Sequence, residues 1–292
     1  MQKGILGIVF FLSGCFSIPG YESVSQDEDC TCPDEECPDT ASGNDDEISN
    51  RDAGVYDSGN DESQDIPDKP DLEFVTVPGN AFYIGNINEQ GPWYQVAVKT
   101  FWIMKHEVTV AEYGKCVLSG ACTRPVDECD CMWSDIGNDY PVSCVSWKQA
   151  QEFCSWACDF CRLPSESEWE FAARNAGQGI PYPWGIDAPD CERVAKSGCG
   201  RGIATVCSKP DGNTEQGACD MLGNLSEWVE DDWHDNYSGI PDNGTAWIDM
   251  DNYYKVIRGA SFMDNENALR TTYREKRIQY HRAPWTGFRC AY

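Results

Sequence analysis

Seventeen cysteines in 292 residues constrain this chain more than any other feature. Thiols at that density persist as disulfides or as metal ligands. Zinc sites usually combine two close cysteine pairs, or add histidines at set spacings. Cys30, Cys32 and Cys37, and likewise Cys154, Cys158 and Cys161, are close enough in sequence to be ligands, but His106, His234 and His281 lie near none of them at such a spacing. Disulfides in an oxidising compartment are therefore the expectation. Setting Cys15 aside leaves 16, an even number.

The N-terminus agrees with export. Lys3 precedes an apolar run over residues 5–12, and Ser13-Gly14 follow it. A charged start, a short apolar segment and small residues describe a secretory signal. The run falls well short of the roughly 20 apolar residues that span a bilayer. Leu12-Ser13-Gly14-Cys15 resembles the bacterial lipobox, in which the cysteine is acylated and becomes the new N-terminus. Phe16, rather than Asp, resembles lipoproteins sent on to the outer membrane. The expectation is a signal peptide over 1–14, a lipid anchor at Cys15 and a place in the bacterial cell envelope.

The formal net charge is −27, and much of it is local. Residues 21–70 hold 17 Asp or Glu against Arg51 and Lys69. With few aromatic or β-branched residues, that stretch cannot bury enough apolar surface to offset its ordering entropy. Residues 15–71 are read as a disordered acidic linker, extended by self-repulsion, that lifts a domain off the membrane. An acidic calcium- or partner-binding tail is the other reading. The charge argues against nucleic acid as a partner. Residues 72–292 fit one domain.

Within that domain, residues 72–83 alternate in the manner of strands, broken by the turn signal Pro78-Gly79-Asn80. Residues 94–104 (YQVAVKTFWIM) read as a strand. Thr109 opens a helix, residues 145–157 read as an amphipathic helix that Ser146 can cap, and Ser165 with Glu168 forms a capping box for a third. Residues 177–217 read as loop, too long for a compact domain unless something ties it down. Strands return at 254–258 and 286–292. The fold class is α+β, with few helices, short strands and much ordered loop, and the 11 Trp suit a core of large rings.

Several segments, taken in order, resemble the formylglycine-generating enzyme, or sulfatase-modifying factor, family. They are FVTVPGNAFYIGN (74–86), FWIMKHEVTVAEY (101–113), YPVSCVSWKQAQEFCSWA (140–157), CRLPSESEWEFAAR (161–174), YPWG (182–185), GACDMLGNLSEWVEDDW (217–233), RGASF (258–262) and GFRCA (287–291). The resemblance covers 72–292 and implies a C-type-lectin-related α+β fold with little regular secondary structure. It also implies a disulfide between Cys154 and Cys290. A family calcium site maps onto Asp220, Gly223, Leu225 and Glu227, with two carboxylates and two backbone carbonyls as oxygen ligands. Arg274 matches a family arginine of the substrate groove, which places Ser261, Asp264, Arg274 and Trp285 together.

The family's reaction oxidises a sulfatase cysteine to formylglycine with copper held by two thiolates, soft ligands that suit copper(I). That pair lies between the Arg-Gly-Gly-Ser motif and the closing Gly-Phe-Arg-Cys. Here residues 262–289 contain no cysteine, and Asp264 stands where the first should be. Ser226 also departs from the family's usual Trp. Related iron enzymes need three histidines, and the three present are widely scattered. The resemblance therefore argues against copper. It points to a surface lipoprotein that acts as a binding or structural module for a protein or glycan ligand. The alternative is a formylglycine-generating oxidase, or a related oxidoreductase acting on a protein cysteine with relocated thiols.

Overall fold

The computed structural model describes residues 68–86, 93–125, 136–200, 202–249 and 252–292. Cys15, the 1–14 signal and all but the end of the 15–71 linker lie outside the described residues, as do Cys30, Cys32 and Cys37.

The chain opens with β1 (Phe74–Val77), β2 (Asn80–Ile84), β3 (Tyr94–Val98) and β4 (Phe101–Met104). β1 pairs with β4, and β2 with β3, each antiparallel. The continuous alternation over 94–104 is thus two strands in two sheets. The chain changes sheet twice, at Pro78-Gly79 and at Lys99-Thr100, and the two crossings touch. Gly79 N donates to Thr100 Oγ1 (3.0 Å). A Cβ on Gly79 would sit 2.4 Å from Thr100 N, so only glycine permits this approach.

Three helices follow: α1 (Val110–Leu118), α2 (Trp147–Ala157) and α3 (Glu166–Ala173). Each begins with a full capping box, Thr109 with Glu112, Ser146 with Gln149 and Ser165 with Glu168. The reciprocal bonds satisfy amides that a helix start leaves without partners. α3 is buried on all sides, so its weak amphipathic signal reflects a helix inside the domain rather than on it.

Among the described residues from Arg174 to Leu225, the one named element is a 3-10 turn at Pro210–Gly212. Two disulfides hold that stretch, Cys191–Cys199 and Cys207–Cys219. β5 (Ser226–Asp232), β6 (Tyr254–Arg258), β7 (Arg274–Ile278) and β8 (Thr286–Phe288) then form a sheet in the order β7-β6-β5-β8. β5 and β8 run parallel and the other pairs antiparallel. β5 and β7 were not legible as strands. Their charged residues hide the alternation, since β5 buries Glu227, Asp231 and Asp232 and β7 is an edge strand with a half-wet face.

The central sheet separates two cores. Val229 and Val256 face one, with Trp169, Phe171 and the β2–β3 pair. Trp228, Ile257 and Phe288 face the other, with Tyr113 of α1 and Phe153 of α2. Cys154 of α2 is bonded to Cys290, 136 residues away, and Cys116–Cys122 and Cys158–Cys161 close small loops. Closing a loop as long as 154–290 constrains the unfolded chain strongly. Replacing both cysteines by serine should cost about 5 kcal/mol. Chemical denaturation of the double variant checks this, and an unchanged midpoint would contradict it.

Candidate functional site

β5 begins at the bottom of a buried carboxylate cluster. Glu227 and Arg289 are both fully buried. Arg289 Nε donates to Glu227 Oε2 (2.8 Å) and its Nη2 to Oε1 (2.7 Å), a bidentate fork. Trp169 Nε1 donates to Oε2 as well (2.9 Å). The remaining Arg289 donors reach the carbonyls of Met104, Lys105 and Cys219. One guanidinium thus ties together β4, β5, β8 and the long loop.

Two more carboxylates stand beside this pair. Glu107 accepts from Leu225 N (2.9 Å) and Asn224 Nδ2 (2.7 Å). Asp220 accepts from Cys207 N (2.6 Å). Burial, and the charges of Asp220 and Glu227, hold Glu107 well above the usual carboxylate range. Burial raises Asp220 too. Three carboxyl groups thus share one buried guanidinium, and burial together with their mutual repulsion favours the neutral form of Glu107. Asp220, Gly223 and Asn224 all have positive φ, at 53°, 74° and 56°, so the backbone coils tightly through the segment. Among the described residues no three or more His, Cys, Asp or Glu side chains are gathered as metal ligands. The set expected from sequence draws on only two side chains, Asp220 and Glu227. Its other two oxygens are the carbonyls of Gly223 and Leu225. All four are oxygen donors, the type a hard divalent cation takes, and Glu227 would share with it oxygens that already hold Arg289 and Trp169.

The turn at Ser261 rests on the same segment, because Phe262 N donates to Asn224 O (2.8 Å). Asp264 folds its carboxylate back onto Ser261, accepting from Ser261 N (2.8 Å) and Ser261 Oγ (2.7 Å). Asp264 here acts as a local turn cap. Ser226 N and Oγ both donate to Trp285 O (2.9 Å each), which fixes the half-buried Trp285 beside the sheet.

Arg274, expected in a groove with Ser261 and Asp264, makes its hydrogen bonds to Glu166 and to His234 O instead. It is 9% exposed and forks onto Glu166, with Nε to Oε1 and Nη2 to Oε2, both 2.7 Å. Its guanidinium lies over the rings of Trp233 (4.3 Å) and Tyr237 (4.5 Å). Register explains the difference. Arg274 pairs with Arg258 across β6–β7, and both then face the buried carboxylates of α3. Arg258 bonds Glu166 (3.1 Å) and Glu170 (2.7 Å). Glu170 also holds Arg174 (2.8 Å). The neighbour whose titration feels Asp264 is Tyr273, pushed up to about 12 by burial, with the charges of Glu275 and Asp264 adding to it. It is a neutral phenol at physiological pH.

Every described cysteine is disulfide-bonded, including Cys144. No thiolate is therefore present in this part of the molecule to bind copper. The histidines are dispersed, with His234 stacked on Trp247 at 3.5 Å and paired with Asp249.

Two outcomes follow from the buried charges. Arg289→Ala strands Glu227 without its counter-ion and should cost about 3–5 kcal/mol in denaturant unfolding. A loss under about 1 kcal/mol would show that the pair is dispensable. Asp231, fully buried, accepts from Glu166 N and Trp247 N. Burial, with the charge of Glu166, pushes it up to about 8. A carboxyl raised in the folded state keeps its proton where the unfolded chain has lost it. Stability linked to it is therefore whole at acid pH and falls as pH climbs toward 8, by up to about 1.4 kcal/mol per unit. The wild-type chain should lose stability relative to Asp231→Asn between about pH 5 and pH 8. Parallel stability profiles would contradict this.

Comparison with known proteins sets this arrangement in context. The family model described as "Sulfatase-modifying factor enzyme 1-like domain" matches residues 61–292. The inactive C-alpha-formylglycine-generating enzyme 2 of Bos taurus is 32% identical over 169 residues, which cover 52% of this chain and 50% of that protein. Hercynine oxygenase of Mycolicibacterium smegmatis is 26% identical over 265 residues, covering 75% of this chain and 60% of that one. The chain thus spans half to three fifths of the length of these two relatives. The structure of PvdO from Pseudomonas aeruginosa superposes with a TM-score of 0.66 at 28% identity, covering 75% of this chain and 93% of that one.

Proposed function

The chain belongs to the sulfatase-modifying factor enzyme 1-like family, and from that premise we propose that it is a non-catalytic binding or structural module. One observation carries the reading. The interval 262–289 has no cysteine, and Asp264, at the place of the first copper ligand, is turned onto Ser261. A hydrogen-bonded carboxylate is a hard ligand and does not replace a thiolate pair for copper(I). What remains is a scaffold of buried ion pairs and disulfides that presents ordered loops, the usual place for recognition residues. We propose the turn Ser261–Asp264, beside Trp285, as a contact surface for a protein or glycan ligand.

Anchoring at Cys15 and export to the bacterial cell envelope, at the outer membrane, complete the reading. The disulfide density of the domain supports an oxidising compartment. Calcium is the proposed structural cofactor, held by Asp220 and Glu227 with the carbonyls of Gly223 and Leu225. It would draw Asp220 into its ionised form and tie the 220–227 segment together.

Thiol counting tests the first claim. The folded full-length chain should offer no pair of thiols that binds copper(I). Two reactive thiols that take up copper would instead favour an oxidase with relocated ligands. Chelation tests the second. Removing calcium should lower the melting temperature of the wild-type chain, and Asp220→Ala should abolish that sensitivity. A melting temperature indifferent to chelator would contradict the calcium assignment.

A further inference from the structure

Away from both places discussed above, the turn between β3 and β4, the entry to α3 and the loop 243–246 enclose a cleft of about 440 Å³. That volume lies within the range of small-molecule sites. None of its walls comes from the Asp220–Glu227 segment or the Ser261 turn. We propose that this cleft binds a neutral saccharide, with Trp102 as the platform for a sugar ring and Arg162, Glu168, Glu230 and Asn243 as partners for its hydroxyls.

Rigid backbone frames the cleft. Trp102 and Tyr292 exchange backbone hydrogen bonds (3.0 and 2.9 Å), as do Arg162 and Ala291 (2.9 and 2.8 Å). Trp102, Tyr292 and Arg162 therefore stand on three strand-like segments pinned side by side. Cys158–Cys161 fixes the chain just before Arg162. Ser165 Oγ donates to Gly244 O (2.7 Å), which ties the loop to the start of α3. A site held this way loses little freedom when it binds.

Its chemistry is that of an uncharged, amphipathic ring. The rings of Trp102 and Tyr292 stack at 5.2 Å and 4° and remain 38% and 39% exposed. Large exposed rings that line a cleft offer an apolar face, and the C–H face of a pyranose presents a matching one. Two cationic side chains, Lys99 and Arg162, and two anionic ones, Glu168 and Glu230, line it. A lining of mixed sign suits an uncharged ligand better than an ion.

Hydrogen-bonding capacity remains after the protein's own bonds are made. Arg162 gives Nη1 to Leu163 O and Glu168, and Nη2 to Glu168. Its Nε–H and one Nη2 hydrogen have no protein acceptor among the described residues. Asn243 turns Oδ1 to Thr245 N and Oγ1, which leaves its amide hydrogens as donors. Glu230 accepts from Gln151 through Oε1 (3.0 Å), while Oε2 is enclosed without a partner. An enclosed carboxyl oxygen without a donor is costly, and a turn of the side chain toward the cleft would let a ligand hydroxyl supply one.

The test is ligand-observed saturation-transfer NMR on the full chain, with maltotriose, cellotriose and chitotriose as probes. At least one should bind with a dissociation constant in the millimolar range or below. Trp102→Ala should weaken that binding about tenfold or more, and Glu230→Gln should weaken it as well. Ser261→Ala should leave it unchanged, which separates this cleft from the proposed contact surface. Trp102 is exposed and Glu230→Gln preserves shape, so a melting curve distinguishes lost binding from lost fold. No binding by any of the three sugars would overturn the proposal. So would binding that survives both cleft substitutions, or a cleft that takes lysine amide or inorganic phosphate in preference to the sugars.

Discussion

Arg289 and Glu227 form the interaction on which the rest of the domain depends. Both are wholly buried, and a buried ion pair repays its desolvation only when nearly every donor and lone pair is used. Here nearly all are. The guanidinium closes a fork on Glu227 and reaches three carbonyls from two other parts of the chain, while Trp169 adds a donor from α3. The pair therefore acts as a polar junction inside a fold with little regular structure. The same device recurs beside it, where Arg258 and Arg274 converge on Glu166 and Glu170. Loops that lack ladders of their own are held by these fixed charges and by disulfides.

The two kinds of staple divide the work. Disulfides close the long irregular stretch and join α2 to the C-terminal segment. Guanidinium–carboxylate pairs hold the centre, where α3 crosses the sheet. A chain stapled in this way can lose a catalytic pair without losing its fold, because neither staple runs through the Ser261–Asp264 turn. Fold and reaction are separable for that reason.

The sequence disclosed the fold through its caps and its family motifs. Thr109, Ser146 and Ser165 marked all three helix starts, since a cap is a local signal that needs no tertiary context. β5 and β7 escaped notice because SEWVEDD and REKRI carry charges whose partners lie far along the chain. Trp228 and Val229 do alternate between the two cores, but Glu227, Asp231 and Asp232 between and around them obscure it. The partners of Arg274 are illegible for the same reason. Nothing local to Arg274 points to Glu166, 108 residues earlier. The cleft at Trp102 was also illegible, for its walls come from β4, α3, β5 and the C-terminal segment, which only the fold brings together.

We propose that this domain keeps the family's scaffold without the family's oxidation. The most direct test is mass spectrometry of a cysteine-containing sulfatase peptide after incubation with the full-length chain, copper(I) and oxygen. The account predicts that the peptide cysteine is recovered unchanged. Conversion of that cysteine to the formylglycine aldehyde would contradict it.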